Sequence, residues 1–308
     1  MRRAPLFTVL AVIVAVVLAC SLAGCARRPS TSTEDASGSR PSTAGPGATQ
    51  PQETHETTDT TTDAGQPKTQ KPLTLRVYFP RGDKLGVVAR EVPYTKAVAT
   101  AALTEMLKGP SSVDAAYGFH SEVPAGTRLR SVSIRDRVAT VDLTGQFDDG
   151  GGSLSMFMRL AQLVFTATQF ETVDAVALKL DGRPVEVFSG EGIVLDHPMR
   201  RADFEDVLPA ILVETPLPGA SASSPLRITG TANVFEAVFK AEVRDSSGAV
   251  VGSKTITASS GTGTRGTFRD AVPFTVTRTQ MGSLVVFAES PSDGSRIDVV
   301  TIPVKLVP

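Results

Sequence analysis

Asp148-Asp149-Gly150 is the stretch whose residue types best suit a bound cation, because Ca²⁺ prefers clustered oxygen ligands. It lacks the alternating acidic spacing and the terminal Glu of an EF-hand loop. A solvated loop leading into a helix N-terminus, where negative charge is favourable, accounts for it without metal. Gly261-Thr262-Gly263-Thr264-Arg265-Gly266 spells G-x-G-x-x-G, but a dinucleotide site needs a strand before that turn and a helix after it. Here Thr267 to Val276 reads as a strand, so a flexible loop between two strands is expected. The histidines, His55, His120 and His197, show no i, i+4 pairing of the kind that holds helical zinc. No G-x-S-x-G elbow occurs, and no Lys has a Ser three residues before it. Glu105, Glu122, Asp142 and Asp181 could serve acid–base hydrolysis, yet Asp142 and Asp181 fall at strand ends where turn roles suffice. These residues therefore assign no catalytic group, no metal ligand and no cofactor.

The thiol that does carry a chemical signal is Cys25. Arg2 and Arg3 form a short positive region, and a charge-free run of about 17 residues follows from Leu6 to Leu22. Small residues precede Cys25, which is the build of a secretory signal peptide. Leu22-Ala23-Gly24-Cys25 resembles the lipobox of bacterial lipoproteins. That resemblance implies diacylglyceryl transfer to the Cys25 thiol and cleavage between Gly24 and Cys25. Cys20 is a poorer acceptor, with the bulky Leu18 where a small residue is preferred. An uncleaved signal anchor is the alternative, since the run only just reaches spanning length. In either case the bulk of the chain is expected outside the cytoplasm, at the cell membrane's extracytoplasmic face.

After cleavage no thiol would remain for a disulfide, so the folded parts must hold by hydrophobic cores alone. The 308 residues are long enough for two domains. A formal charge of −1 gives no electrostatic footprint for nucleic acid, and Trp is absent. Residues 1–24 read as signal peptide and 25–72 as a Ser/Thr/Pro/Gly-rich tether with almost no large apolar side chain. Such a segment cannot offset its ordering entropy, and as a flexible coil it would reach roughly 40 Å. Thr57, Thr58, Thr60, Thr61 and Thr62 are candidate glycosylation sites within it, against a bare solvated tether.

Residues 73–196 alternate between strand and helix signals. Leu73 to Phe79 reads as a strand, and a helix should begin near Thr95 as N-cap. Val98, Ala102, Leu103, Met106 and Leu107 give it one apolar face, and Gly109-Pro110 stops it. Strands over Leu129 to Ile134 and Val138 to Leu143 form a hairpin through Arg135-Asp136-Arg137. A second helix should open at Ser153 as cap, burying Leu154, Phe157, Leu160, Ala161, Val164, Phe165 and Thr168. Strands over Val173 to Leu180 and Pro184 to Phe188 close the region around Asp181-Gly182. The expected fold is α+β, a two-layer α/β sandwich domain. Residues 197–210 read as a fairly stiff linker with a short helical turn near Phe204. Residues 211–308 carry seven short strands and no helix, an all-β immunoglobulin-like sandwich.

Leu103…Met106-Leu107-Lys108-Gly109-Pro110, Val123-Pro124-Ala125-Gly126-Thr127 and Val141-Asp142-Leu143 resemble the germination-M N-terminal type (GerMN) domain, as do Ala161-Gln162-Leu163-Val164-Phe165-Thr166-Ala167-Thr168 and Leu180-Asp181-Gly182. Val213-Glu214-Thr215-Pro216, Ser224-Pro225-Leu226, Gly230-Thr231-Ala232 and Phe235-Glu236-Ala237 resemble the immunoglobulin-like domain of spore-germination proteins. The resemblance implies sporulation, germination or envelope signalling, with the first domain building protein assemblies.

The expectation is a non-catalytic, lipid-anchored adaptor or scaffold, held in membrane lipid by acylated Cys25 and contacting an envelope protein or itself. The alternatives are a receptor for a glycan or small molecule, which needs a deep pocket, and a cell-wall-active enzyme.

Overall fold

The computed structural model describes residues 70–190 and 192–308. The expected signal peptide, Gly24, Cys25 and nearly all of the expected tether lie outside those residues. Among the described residues no helix is long and apolar enough to cross a membrane.

β1 (Leu73–Arg81) and β2 (Lys84–Val92) form an antiparallel hairpin in full register, from Leu73 opposite Val92 to Arg81 opposite Lys84. β2 is an addition to the expected order. Its apolar residues Leu85, Val87 and Val88 break strict alternation, and Gly86 sits in its interior. That glycine has a reason: a Cβ there would lie 2.7 Å from Cε1 of Phe119, whose ring covers the strand. α1 (Val98–Leu107) buries Ala99, Ala102, Leu103 and Met106. Its N-cap is Ala97, while Thr95 accepts a bond from the Ala97 N–H at 3.1 Å just ahead of the helix. α2 (Ser112–Ala116) is a short second turn, closed by a capping box between Ser111 and Asp114.

β3 (Leu129–Arg135) and β4 (Val138–Leu143) are joined by Asp136 and Arg137, both at positive φ. That is the two-residue hairpin turn made without glycine. α3 (Ser153–Ala167) returns the chain so that β5 (Ala175–Leu180) lies parallel to β4. The four-stranded sheet runs β3-β4-β5-β6, where β6 is Arg183–Pro184, and β7 (Val187–Phe188) pairs β8 (Ile193–Val194) separately. The domain is α+β, with its strands divided among this sheet, the β1–β2 hairpin and the β7–β8 pair.

Two details of α3 differ from expectation. Its N-cap is Gly152 with no side-chain cap bond, and Leu154 is exposed. From Met158 to Ala167 every residue is buried, because α1, β1 and the 3₁₀ turn at Arg201–Val207 pack around it. A periodicity argument finds one apolar stripe. It misses that Arg159, Gln162 and Thr166 are buried as polar residues on the remaining sides.

The second domain packs the sheet β14-β11-β9 on the sheet β10-β16-β15-β12-β13. In chain order these are β9 (Ile211–Thr215), β10 (Ser221–Ala222), β11 (Leu226–Ala232), β12 (Val238–Arg244), β13 (Val250–Thr257), β14 (Gly266–Val272), β15 (Gln280–Glu289) and β16 (Arg296–Leu306). β10 is the strand the sequence did not show, a two-residue parallel addition to β16. Phe239 and Phe268 meet edge-on at 4.9 Å in a core with Ile228, Val243 and Val286, where no disulfide is needed.

Candidate functional site

The acidic and histidine residues singled out from the sequence fall into separate groups. Glu105 pairs with Lys108 on α1 at 2.5 Å. Asp142 and Asp181 stand at the ends of β4 and β5 and share Arg130, at 3.3 and 3.6 Å. Asp142 also accepts the Gly182 N–H at 3.0 Å, and Asp181 accepts that of Gly145 at 3.1 Å. Both are thus turn-closing groups.

Glu122 sits between Ser155, whose hydroxyl it accepts, and His120, at 3.2 Å. With the carboxylate in the middle, the order differs from the serine–imidazole–carboxylate order of a hydrolase triad. None of Glu105, Glu122, Asp142 or Asp181 lines the grooves described below.

The Asp148-Asp149-Gly150 loop closes on an arginine. Arg159, 2% exposed, donates to the carbonyls of Phe147, Asp149 and Gly150, and to that of Glu122 at 2.9 Å. The backbone carbonyl oxygens of this loop are turned onto a guanidinium. Burial pushes the Asp148 carboxyl up, against the pull of Arg159. Among the described residues no group of three or more His, Cys, Asp or Glu is placed to hold a metal ion.

The densest polar cluster lies where the two domains meet. β1 brings Arg76 and Tyr78, β9 brings Glu214, and the 3₁₀ turn between the domains brings Arg201. Arg201 donates to Glu214 at 2.6 Å and to the Thr168 hydroxyl at 2.8 Å, with its guanidinium 4.6 Å from the Phe165 ring centre. Tyr78 donates its phenol to Glu214, and Arg76 stands 3.7 Å from the same carboxylate. Burial alone would raise the Glu214 pKa, but Arg201 and the Tyr78 hydrogen bond hold it below the usual glutamate value. Burial pushes the Tyr78 phenol up.

A second tie joins the same elements. Arg265 donates to Glu205 at 2.7 Å and to the Pro209 carbonyl at 2.8 Å, and Asn233 donates to Glu205 at 2.9 Å. The Gly261–Gly266 loop is therefore pinned to the interdomain turn, not free as expected, and the element after it is the strand β14. Leu212 completes the junction by burying itself in the first domain's core. Glu214 and Arg265 lie in stretches the sequence singled out, but the pairing of Arg201, Glu214, Tyr78, Glu205 and Arg265 carried no local signal, since their partners lie elsewhere in the chain.

Two open grooves flank this junction. One, of about 330 Å³, runs between Arg81, Lys84, Tyr117 and Phe119 on one side and Pro216 and Val299 on the other. The second, of about 620 Å³, lies between Arg76, Gln169 and Phe170 and the Ala220–Ser223 segment with Arg227. The first is lined mainly by apolar side chains, with Arg81 and Lys84 as its charged groups, and the second is more polar.

Residues 76–186 match the Germane family, described as sporulation and spore germination. Residues 210–295 match the immunoglobulin-like domain of bacterial spore germination. The chain joins a Germane domain to a spore-germination immunoglobulin-like domain. The expected resemblance holds for both domains. Arg201 and Glu205 fall between the two matched segments, so the connecting turn supplies the groups that tie them.

Among solved structures, the tandem GerMN domains of the sporulation protein GerM from Bacillus subtilis are 14% identical, with a TM-score of 0.38. That similarity covers 76% of this chain and 60% of the other, so this chain spans less than two thirds of that structure's length. The first GerMN domain of the same protein is 23% identical over 42% of this chain and 99% of its own, with a TM-score of 0.35. No curated protein matches the chain significantly.

Proposed function

We propose that this protein is a non-catalytic, lipid-anchored adaptor or scaffold, displaying its Germane and immunoglobulin-like domains as one rigid unit at the outer face of the cytoplasmic membrane. The observation that carries this reading is the junction. Arg201 and Glu214 hold the two domains in one orientation through charge-assisted bonds, and such bonds are the strong ones. Asp142 and Asp181 close turns, Arg159 closes a loop, and Arg201 and Glu214 close this junction. A rigid pair of domains with open grooves and strand edges suits recognition of protein surfaces.

The anchor rests on the leader and on Cys25. Cys25→Ala is expected to abolish incorporation of labelled fatty acid and to shift the protein from the membrane to the soluble fraction. A variant that stays lipidated and membrane-bound would refute the anchoring.

A further inference from the structure

Sheet edges are templates for pairing with other chains, and folded proteins cover or interrupt them. Several edges here are covered or interrupted in part. On β1 the outward backbone of Arg76 is bonded by the Gln169 side chain, at 2.9 and 2.6 Å, and the Tyr78 N–H by Thr166 at 3.2 Å. β5 is met by Val185 at 3.1 Å and by a bridge to Met199. β13 gives its Val251 carbonyl to Thr275 at 3.3 Å. β16 is partly covered by β10, and Asp298, at φ 55°, distorts its open half.

β3, like β2, is a regular strand whose outer side meets no further strand among the described residues, and of the two only β3 carries unpaired arginines along it. The two-residue turn makes Arg135–Val138 a hydrogen-bonded pair, and alternation then makes Ser133–Thr140 another. Val132 and Ile134, in the intervening pairs, point their N–H and C=O groups away from β4. Those groups have no hydrogen-bond partner among the described residues. Their side chains lie on the core side of the sheet, opposite buried Val141 and Ala139, yet Ile134 is 45% exposed. The apolar layer stops one strand short.

The charge around this edge is one-sided. Residues 128–137 contain Arg128, Arg130, Arg135 and Arg137 against the lone acid Asp136. Arg130 and Arg137 are engaged by Asp142 and Asp174, whereas Arg128 and Arg135 have no acidic partner among the described residues. Lys179, in register with Asp142, is likewise without an ion pair there. A second copy of this chain pairing through β3 in antiparallel fashion would set Arg130 near Arg135, and like charges opposite one another are destabilising.

We infer that the outer edge of β3 is a docking site for an extended acidic segment of a partner protein, which adds as a further strand with apolar residues over Val132 and Ile134 and carboxylates toward Arg128 and Arg135. This rests on the adaptor reading and names the chemistry of its partner. Backbone pairing supplies affinity in such strand addition, and side chains supply the selection.

The test uses the full-length chain in detergent and two labelled synthetic peptides, one alternating valine with glutamate and one alternating valine with lysine. Ile134→Pro removes an outward N–H that the β3–β4 ladder does not use, so the fold should survive it. Arg128→Glu with Arg135→Glu reverses the charge and leaves the backbone intact. The expected result is glutamate-peptide binding at least tenfold tighter than lysine-peptide binding, weakened by salt and reduced tenfold or more by either change. No glutamate-peptide binding by the wild type overturns the proposal. So does binding that survives Ile134→Pro but fails on charge reversal, which would be simple anion attraction. Dimerisation of the wild type that Ile134→Pro abolishes would make a second copy the occupant, and likewise overturns it. In native membranes, protein cross-links that persist from the immunoglobulin-like domain in an Ile134→Pro chain would separate failure of this edge from failure of the adaptor reading.

Discussion

Arg201 and Glu214 decide whether the two domains act as one body. Removing one member of this half-buried pair leaves the other charge without its bonding partner, at a cost of about 2 kcal/mol. Arg201→Ala is therefore expected to lower the unfolding free energy by about that amount and to expose the 187–209 connection to limited proteolysis. Glu214 also sets a pH dependence. Its folded-state pKa is below the ordinary value of 4.5, so its contribution is present above that pH and is lost as the pH falls through the depressed pKa. The melting temperature should fall more steeply below pH 4.5 in the wild type than in Glu214→Gln, and parallel curves would remove Glu214 from the account. Little of this pair was legible in the sequence. Tyr78 and Glu214 are 136 residues apart, and an isolated Arg or Glu in a linker or strand gives no sign of its partner. Asp142 and Asp181 were legible, because turn closure is a local property of strand ends.

Helices and strands were legible where periodicity governed and hidden where packing did. The β3–β4 hairpin, α1 and most strands of the second domain follow from alternation, helical spacing and turn residues. β2 escaped because Gly86 yields its side-chain space to Phe119, and α3 was read as amphipathic because its polar residues are satisfied inside. Arg159→Ala is expected to destabilise the Germane domain by about 3 kcal/mol, since several buried carbonyls lose their donor. Added Ca²⁺ should not restore it in thermal melts. Glycines separate similarly. At Gly230 a Cβ would stand 2.0 Å from the Leu212 carbonyl oxygen, a backbone atom, whereas at Gly86 it meets a side-chain ring. Gly230→Ala should therefore cost clearly more stability than Gly86→Ala in denaturant titrations, and equal losses would contradict the rigidity of that β9–β11 contact.

At the scale of the whole molecule, two joined domains behind the proposed lipid anchor suit an adaptor that is fixed at one end and presents protein surfaces at the other. The domain types were legible because their motifs are local. Their mutual orientation was not, since it depends on Arg201, Glu205 and Arg265 meeting partners across the junction. The anchored, protein-binding role is tested most directly by cross-linking a C-terminally tagged chain in native membranes and identifying by mass spectrometry what co-purifies. The account predicts a reproducible envelope protein, lost when either folded domain is deleted and when Cys25→Ala releases the chain. Wall fragments or a glycan with no protein partner would contradict it.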